Sequence, residues 1–245
     1  MKKSIILIIF VLTILQLYSF QPGEKLVFKI KYGMISAGEA TLAIEDFTHH
    51  DSVDCWLFSI TTKTNSFFDR IFKVRDRIES VTDKAKFISY RFEKKLQEGS
   101  YKQHRIHLNY PDQNFSFYLK YSRKSKEFKE KRMEIPDETQ DILSAFYFVR
   151  KQNLSVGDSL LINVTSDGRN VVTKVLVHKR ETLDTIFGET ECLVIEPVME
   201  TEAVFKQSGR IQIWVTDDDR KIPVKLESKV TFGSFKAYLE EFEGI

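Results

Sequence analysis

Apolar and polar residues alternate with a period of two in segment after segment of this chain, and that pattern restricts the fold more than any other feature. Successive side chains of a β-strand point to opposite faces, so strict alternation marks strands with one buried face. Leu26, Phe28, Ile30 and Tyr32 fall on one face of the first such segment, with Lys25, Lys29 and Lys31 opposite. Trp56, Phe58, Ile60 and Thr62 repeat the pattern, followed by Val74-Asp76-Ile78, Ile88-Tyr90-Phe92, Ile106-Leu108-Tyr110 and Phe115-Phe117-Leu119. After a break it returns in Leu160 to Val164, Val171 to Val177, Cys192 to Val198, Ile211-Ile213-Val215, Val224-Leu226 and Phe235 to Phe242. Short connections between about a dozen strands favour antiparallel pairing, because parallel neighbours need long crossovers. The 20 Phe and 9 Tyr against 5 Pro suit pleated, half-buried surfaces.

The main interruption runs from Pro136 to Arg150. Asp137 followed by Gln140 fits a capping box, and the spacing predicts a helix over 137–150. Ile142 to Val149 is apolar nearly all round, which calls for burial on most sides rather than one-sided packing. The expected fold is mainly β, a long curved antiparallel sheet or incompletely closed barrel wrapped around one buried helix. Phe28, Ile30, Tyr32, Trp56, Phe58 and Ile60 lie on matching faces of two early strands and, with Phe146 of the helix, are the expected lining of an apolar cleft between helix and sheet.

Before the first strand, Lys2 and Lys3 precede an apolar run from Ile5 to Leu17, then Ser19 and the turn-forming Pro22-Gly23. A charged start, an apolar stretch short for a bilayer span and a small residue for cleavage make a secretory signal peptide. The expected organisation is a signal peptide over 1–19 and one β-rich domain over 20–245, exported to the periplasm and soluble unless the signal is retained. Without Lys2 and Lys3 the charge is balanced, 35 Lys and Arg against 35 Asp and Glu, which leaves no electrostatic footprint for nucleic acid. Cys55 and Cys192 could form one disulfide in an oxidising compartment or stay apart as buried thiols; spacing alone does not decide.

No catalytic constellation emerges. His104 and His107 project to opposite faces of one strand and cannot share a metal; His49, His50 and Asp51 sit in a turn; no H-E-x-x-H or paired C-x-x-C is present, and no metal or other cofactor is expected. No G-x-S-x-G supplies a nucleophile elbow. Asp217-Asp218-Asp219 reads as turn capping and Arg123 to Lys126 as a solvated hairpin tip. Asp76, on the face of Val74 and Ile78, needs a partner and points to a structural ion pair rather than a catalytic acid. Asn65 to Arg70 is a helical turn or loop whose two aromatics either anchor the core or gate a ligand.

Tyr32-Gly33-Met34-Ile35-Ser36-Ala37-Gly38-Glu39-Ala40, Asp141 to Arg150, Gly157-Asp158 and Ile213-Trp214-Val215-Thr216-Asp217-Asp218-Asp219-Arg220-Lys221-Ile222-Pro223-Val224 occur in that order. Together they resemble the bacterial family called domain of unknown function 3108. The resemblance covers the chain beyond the signal and implies an exported cell-envelope protein; it supplies no catalytic residues. Gly33 and Gly38 flank a turn, where glycine opens backbone conformations closed to other residues, and Pro223 begins a strand. The architecture also resembles that of periplasmic lipoprotein carriers. The expected function is non-catalytic binding of an apolar or amphipathic ligand, such as a lipid, or of an envelope partner. The alternatives are an envelope assembly or scaffold factor using a sheet edge, and an enzyme acting on an envelope polymer.

Overall fold

A computed structural model describes residues 19–49, 52–199, 210–230 and 233–245. The signal reading falls almost wholly outside these residues, as do His50 and Asp51 of the turn weighed as a metal site. Fourteen strands form one antiparallel sheet: β1 (Lys25–Tyr32), β2 (Ile35–Thr48), β3 (Asp54–Thr64), β4 (Arg75–Asp83), β5 (Ser89–Glu98), β6 (Tyr101–Tyr110), β7 (Phe115–Ser122), β8 (Glu127–Glu134), β9 (Ser159–Ser166), β10 (Arg169–Thr185), β11 (Gly188–Met199), β12 (Ile211–Thr216), β13 (Pro223–Lys229) and β14 (Ser234–Glu243). The spatial order is β8-β7-β6-β5-β4-β3-β2-β1-β14-β13-β12-β11-β10-β9, so the strand nearest each terminus lies mid-sheet and the ends are β8 and β9.

The helix, α1 (Ile142–Arg150), joins those two end strands and packs on β3, β4 and β9. It covers the whole apolar run but begins at Ile142, later than the expected span of 137–150. Asp141 is the N-cap, accepting from the Leu143 and Ser144 amides, while the Ser144 hydroxyl accepts from the Asp141 amide. The capping box is therefore Asp141/Ser144, not Asp137/Gln140. Gln140 cannot open the helix because its backbone bonds to Asn163 and Thr165 of β9 and its side chain donates to the Phe87 carbonyl. Ser80 donates to the other oxygen of Asp141 at 2.5 Å, fixing the helix start to β4.

The C-terminal end of α1 is tied down by charge. Arg150 and Glu24 form a bidentate pair at 2.5 and 2.9 Å, with side chains only 1% and 3% exposed. The same guanidinium donates to the carbonyls of Ser19 and Arg220. Phe20 is buried against Trp56, Phe58, Phe87 and Tyr147, so the residues just after the expected signal belong to the core.

Directly opposed residues of antiparallel strands share a face. The register Ile44↔Phe58↔Ser80↔Phe92↔His107↔Tyr118 defines the face turned toward α1, because Phe58 and Phe92 belong to the core that holds Tyr147. The sheet curves around that face until its ends meet through side chains and a turn. The Asp167-Gly168 turn between β9 and β10 reaches the inner face of β5–β7: Asp167 pairs with Lys94 (2.8 Å) and Arg105, and the Gly168 amide donates to His107 Nε2 at 3.2 Å. Lys131 and Asn170 add bonds to Gly168 and Glu134 carbonyls. Among the described residues no strand ladder joins β8 to β9, so the barrel is closed by this latch and not by strand pairing.

Several smaller expectations change. Cys55 and Cys192 are separate buried thiols, each pushed up to about 11 by burial. Gly33 has the expected positive φ of 58°, but Gly38 lies within β2 and is needed for a different reason: a Cβ there would stand 2.2 Å from the Lys63 carbonyl oxygen of β3. Among the described residues Asp76 finds no ion pair; it accepts from the Gln97 amide, and burial raises its carboxyl above the usual range. Asp218 caps its turn as expected, accepting from the Arg220 and Lys221 amides.

Candidate ligand-binding surface

The inner face changes character along a single row. Its register reads Leu26↔Leu42↔Ile60↔Ile78↔Lys94↔Arg105↔Lys120↔Lys129 from β1 to β8. Half of that row is aliphatic and half is cationic. The strands of the other half-sheet add Ile30↔Ala237↔Leu226↔Ile213 to the aliphatic side. Period two places these side chains inward, and the pairing fixes which neighbour each one meets.

Burial along the same face is graded. Near α1 the sheet is filled: Phe58 stacks on Tyr147 with ring centroids 3.9 Å apart, and Ile44, Trp56 and Phe92 are buried. Farther along the strands, Ile30, Ile60, Ile78, Leu226 and Ala237 still point inward yet remain partly exposed. An inward aliphatic side chain that keeps water contact borders space that one nine-residue helix does not occupy.

The seven residues expected to line a cleft divide accordingly. Phe28, Trp56 and Phe58 are buried in packed clusters. Phe146 is partly buried where three clusters meet, and Ile30, Tyr32 and Ile60 are partly exposed. The last four have surface to offer a ligand. The cationic half was not read from the sequence: Lys94 follows Phe92 by period two, but the Ile106-Leu108-Tyr110 pattern marks the outer face of β6, and it is Arg105 and His107 that turn inward. What hid them was the expectation that a curved sheet shows its interior only apolar residues.

Electrostatics on the cationic side are set by one acid. Burial by itself would raise the Asp167 carboxyl, but Lys94 and Arg105 together hold it below the usual range. Lys120 and Lys129 are exposed and make no ion pair among the described residues. His107, beside them, is buried and pushed down to about 4, so it is neutral near pH 7. Since its Nε2 accepts from Gly168, the proton sits on Nδ1, where it can be donated to Ser116 Oγ at 3.2 Å. The ring is occupied in structure and has no free nitrogen for chemistry.

Two further depressions lie on the outer face. One, of about 1020 Å³, is bordered by Phe47, Val81, Asp83, Tyr90, Arg91 and Leu108. Asp83 is committed there to the turn amides of Ala85 and Lys86 and to the Tyr90 hydroxyl. The other, of about 230 Å³, lies among Lys29, Glu39, Lys63 and Glu240. Neither brings a nucleophile to a base. No group of three potential metal ligands occurs among the described residues.

One antiparallel sheet coiled around a helix and left open between its end strands defines a barrel-like β protein. The model of the family described as Protein of unknown function (DUF3108) matches residues 27–240, and the chain belongs to that family. Among solved structures it is similar to a beta-barrel-like protein of domain of unknown function DUF1849 from Brucella abortus. The identity is 12%, the TM-score is 0.58, and the match covers 91% of this chain and 98% of that one. A weaker match is to a "putative lipoprotein" from Parabacteroides distasonis, with 10% identity and a TM-score of 0.32 over 92% of this chain and 98% of that one. No curated protein matches the chain.

Proposed function

We propose that this chain is an exported, non-catalytic protein of the bacterial cell envelope that holds an amphipathic ligand on the inner face of its sheet, beyond the helix. The observation that carries the reading is the inner row itself, in which partly exposed Ile60 and Ile78 continue directly into Lys94 and Arg105. An acyl chain suits the first pair and an anionic head the second, since apolar burial is non-directional and Lys94 and Arg105 share the single Asp167 carboxylate, which leaves one positive charge over among the described residues. Export rests on the charged and apolar pattern of residues 1–21.

The end strands argue against recognition through a sheet edge. β8 carries Glu127, Lys129, Glu130, Lys131, Arg132 and Glu134, a charge density that opposes strand addition. The other end strand, β9, already has its edge bridged by Gln140.

Mass spectrometry of lipids retained by protein purified from its own envelope without detergent tests the proposal. One class of amphiphile, near one per chain and released on unfolding, is the expected result. Protein that carries none and takes up no added long-chain fatty acid would overturn it.

A further inference from the structure

In an antiparallel meander the turns alternate between two rims. The β1–β2, β3–β4 and β5–β6 connections therefore share one rim, opposite the end that α1 occupies. Large apolar side chains stand in the open there. Met34 is 98% exposed, Phe67 58%, Ile71 68% and Phe72 52%, with Ile35 and Tyr101 close to half. Isolated exposed apolar residues need no explanation, but a group of six on three neighbouring turns does.

The turns that carry them are bolted together. The Asn65 amide donates to the Ala37 carbonyl and its side chain to Ser36, joining the β3–β4 connection to the start of β2. Asn65 also accepts from the Phe68 amide and so opens the short 3-10 turn Phe68–Arg70. Thr64 donates to Asp69 at 2.5 Å and accepts from the Val74 amide, while Arg75 grips Asp69 with both terminal nitrogens at 3.0 and 2.6 Å. On the far side the Gly99 amide donates to Lys73, and Gly99 lies so close to the Phe72 ring that a Cβ would stand 2.9 Å from it. This polar frame fixes the backbone while Phe67 and Ile71 stand out from the protein and Phe72, lying over Gly99, keeps about half of its surface exposed. Of the two readings of the Asn65–Arg70 segment, core anchoring fails for Phe67.

Cations are interspersed with the apolar tips. Arg70, Lys73 and Lys102 are exposed and make no ion pair among the described residues. Apolar tips separated by polar backbone offer poor shape for a flat protein interface, which needs a continuous apolar centre. They suit a bilayer interface, where apolar side chains enter the acyl boundary while neighbouring Lys and Arg stay at the phosphate level. We infer that this rim, through Met34, Phe67, Ile71 and Phe72 flanked by Arg70, Lys73 and Lys102, docks the protein on an anionic lipid surface. The inference does not require the inner face to hold a ligand.

Flotation with vesicles of phosphatidylcholine alone, and of phosphatidylcholine with about a third phosphatidylglycerol, tests it on the chain without residues 1–18. The wild type is expected to float with the anionic vesicles and at least tenfold more weakly with neutral ones. Met34→Ser/Phe67→Ser/Ile71→Ser should lose at least tenfold on anionic vesicles while keeping its urea midpoint, because these side chains touch little of the protein. Arg70→Glu/Lys73→Glu should lose the preference for anionic lipid. Val156→Ser/Ile186→Ser, on apolar residues exposed elsewhere, should bind like the wild type. A wild type that binds neither vesicle, or a triple variant that binds as well as the wild type, would overturn the inference. So would sedimentation showing a dimer that the triple variant abolishes, since the rim would then meet a second copy.

Discussion

Glu24 and Arg150 show how a few buried polar groups hold together two distant parts of the chain. Each charge is almost removed from water and compensated by the other, so truncating one leaves its partner stranded. Glu24→Ala should destabilise by about 3–5 kcal/mol, read as a lowered urea midpoint. Tyr147 makes the opposite case. Its ring packs on Phe58, but its buried hydroxyl has no hydrogen-bond partner among the described residues. Tyr147→Phe should therefore be neutral or stabilising by up to about 1 kcal/mol, since it deletes an unsatisfied group and keeps the packing. His107 supplies a pH dependence. Burial, with Lys94 and Arg105 nearby, outweighs the attraction of Asp167 and lowers its pKa from 6.5 to about 4, so the unfolded chain binds the extra proton first. The stabilising effect of the neutral ring is complete above pH 6.5, shrinks as pH falls toward 4 and is flat below, amounting to about 3 kcal/mol at most. Urea midpoints measured across that window should slope in the wild type and lose this slope in His107→Gln. An identical slope in both would show that His107 does not titrate there.

Among the elements, twelve of the fourteen strands could be read from alternation, and the inward set of β1 and β3 follows from it directly; β2 was not read, nor was β8, whose charged and exposed positions carry no alternation. The helix was readable as a buried element from Ile142–Val149, with Leu143, Tyr147 and Val149 in the core. Its start was not, because Asp137 and Gln140 satisfy the same local pattern as Asp141 and Ser144. The choice between them depends on β9 taking the Gln140 backbone, a contact between segments that no short window contains. The closing latch was hidden for the same reason: Asp167-Gly168 looks like any hairpin turn until the sheet curls and brings it to His107. The turn is also sterically tight. Gly168 has φ of +76°, and a Cβ there would approach the Tyr118 ring to 2.8 Å. Gly168→Ala should cost about 1–3 kcal/mol by urea denaturation, combining backbone strain with loss of the docked geometry.

For the molecule as a whole, the curved open sheet around one helix could be anticipated, since fourteen short-linked strands cannot stay flat and need something to cover their apolar face. Of the residues expected to line an apolar cleft, Phe28, Trp56 and Phe58 are buried while Ile30, Tyr32, Ile60 and Phe146 keep some exposed surface. Phe28, Trp56 and Phe58 fill the end nearest the helix, and the space that remains lies past them, with Lys94 and Arg105 on one side. On the function proposed above, this remaining inner surface holds an amphiphile. This is tested most directly by titrating a fluorescent long-chain fatty acid into the wild type, Ile60→Lys and Leu161→Lys, the last carrying its new charge at an exposed position of β9. Saturable binding near one per chain is expected in the wild type, at least tenfold weaker in Ile60→Lys and unchanged in Leu161→Lys. Equal affinity in all three proteins, or no saturable binding in the wild type, would contradict it.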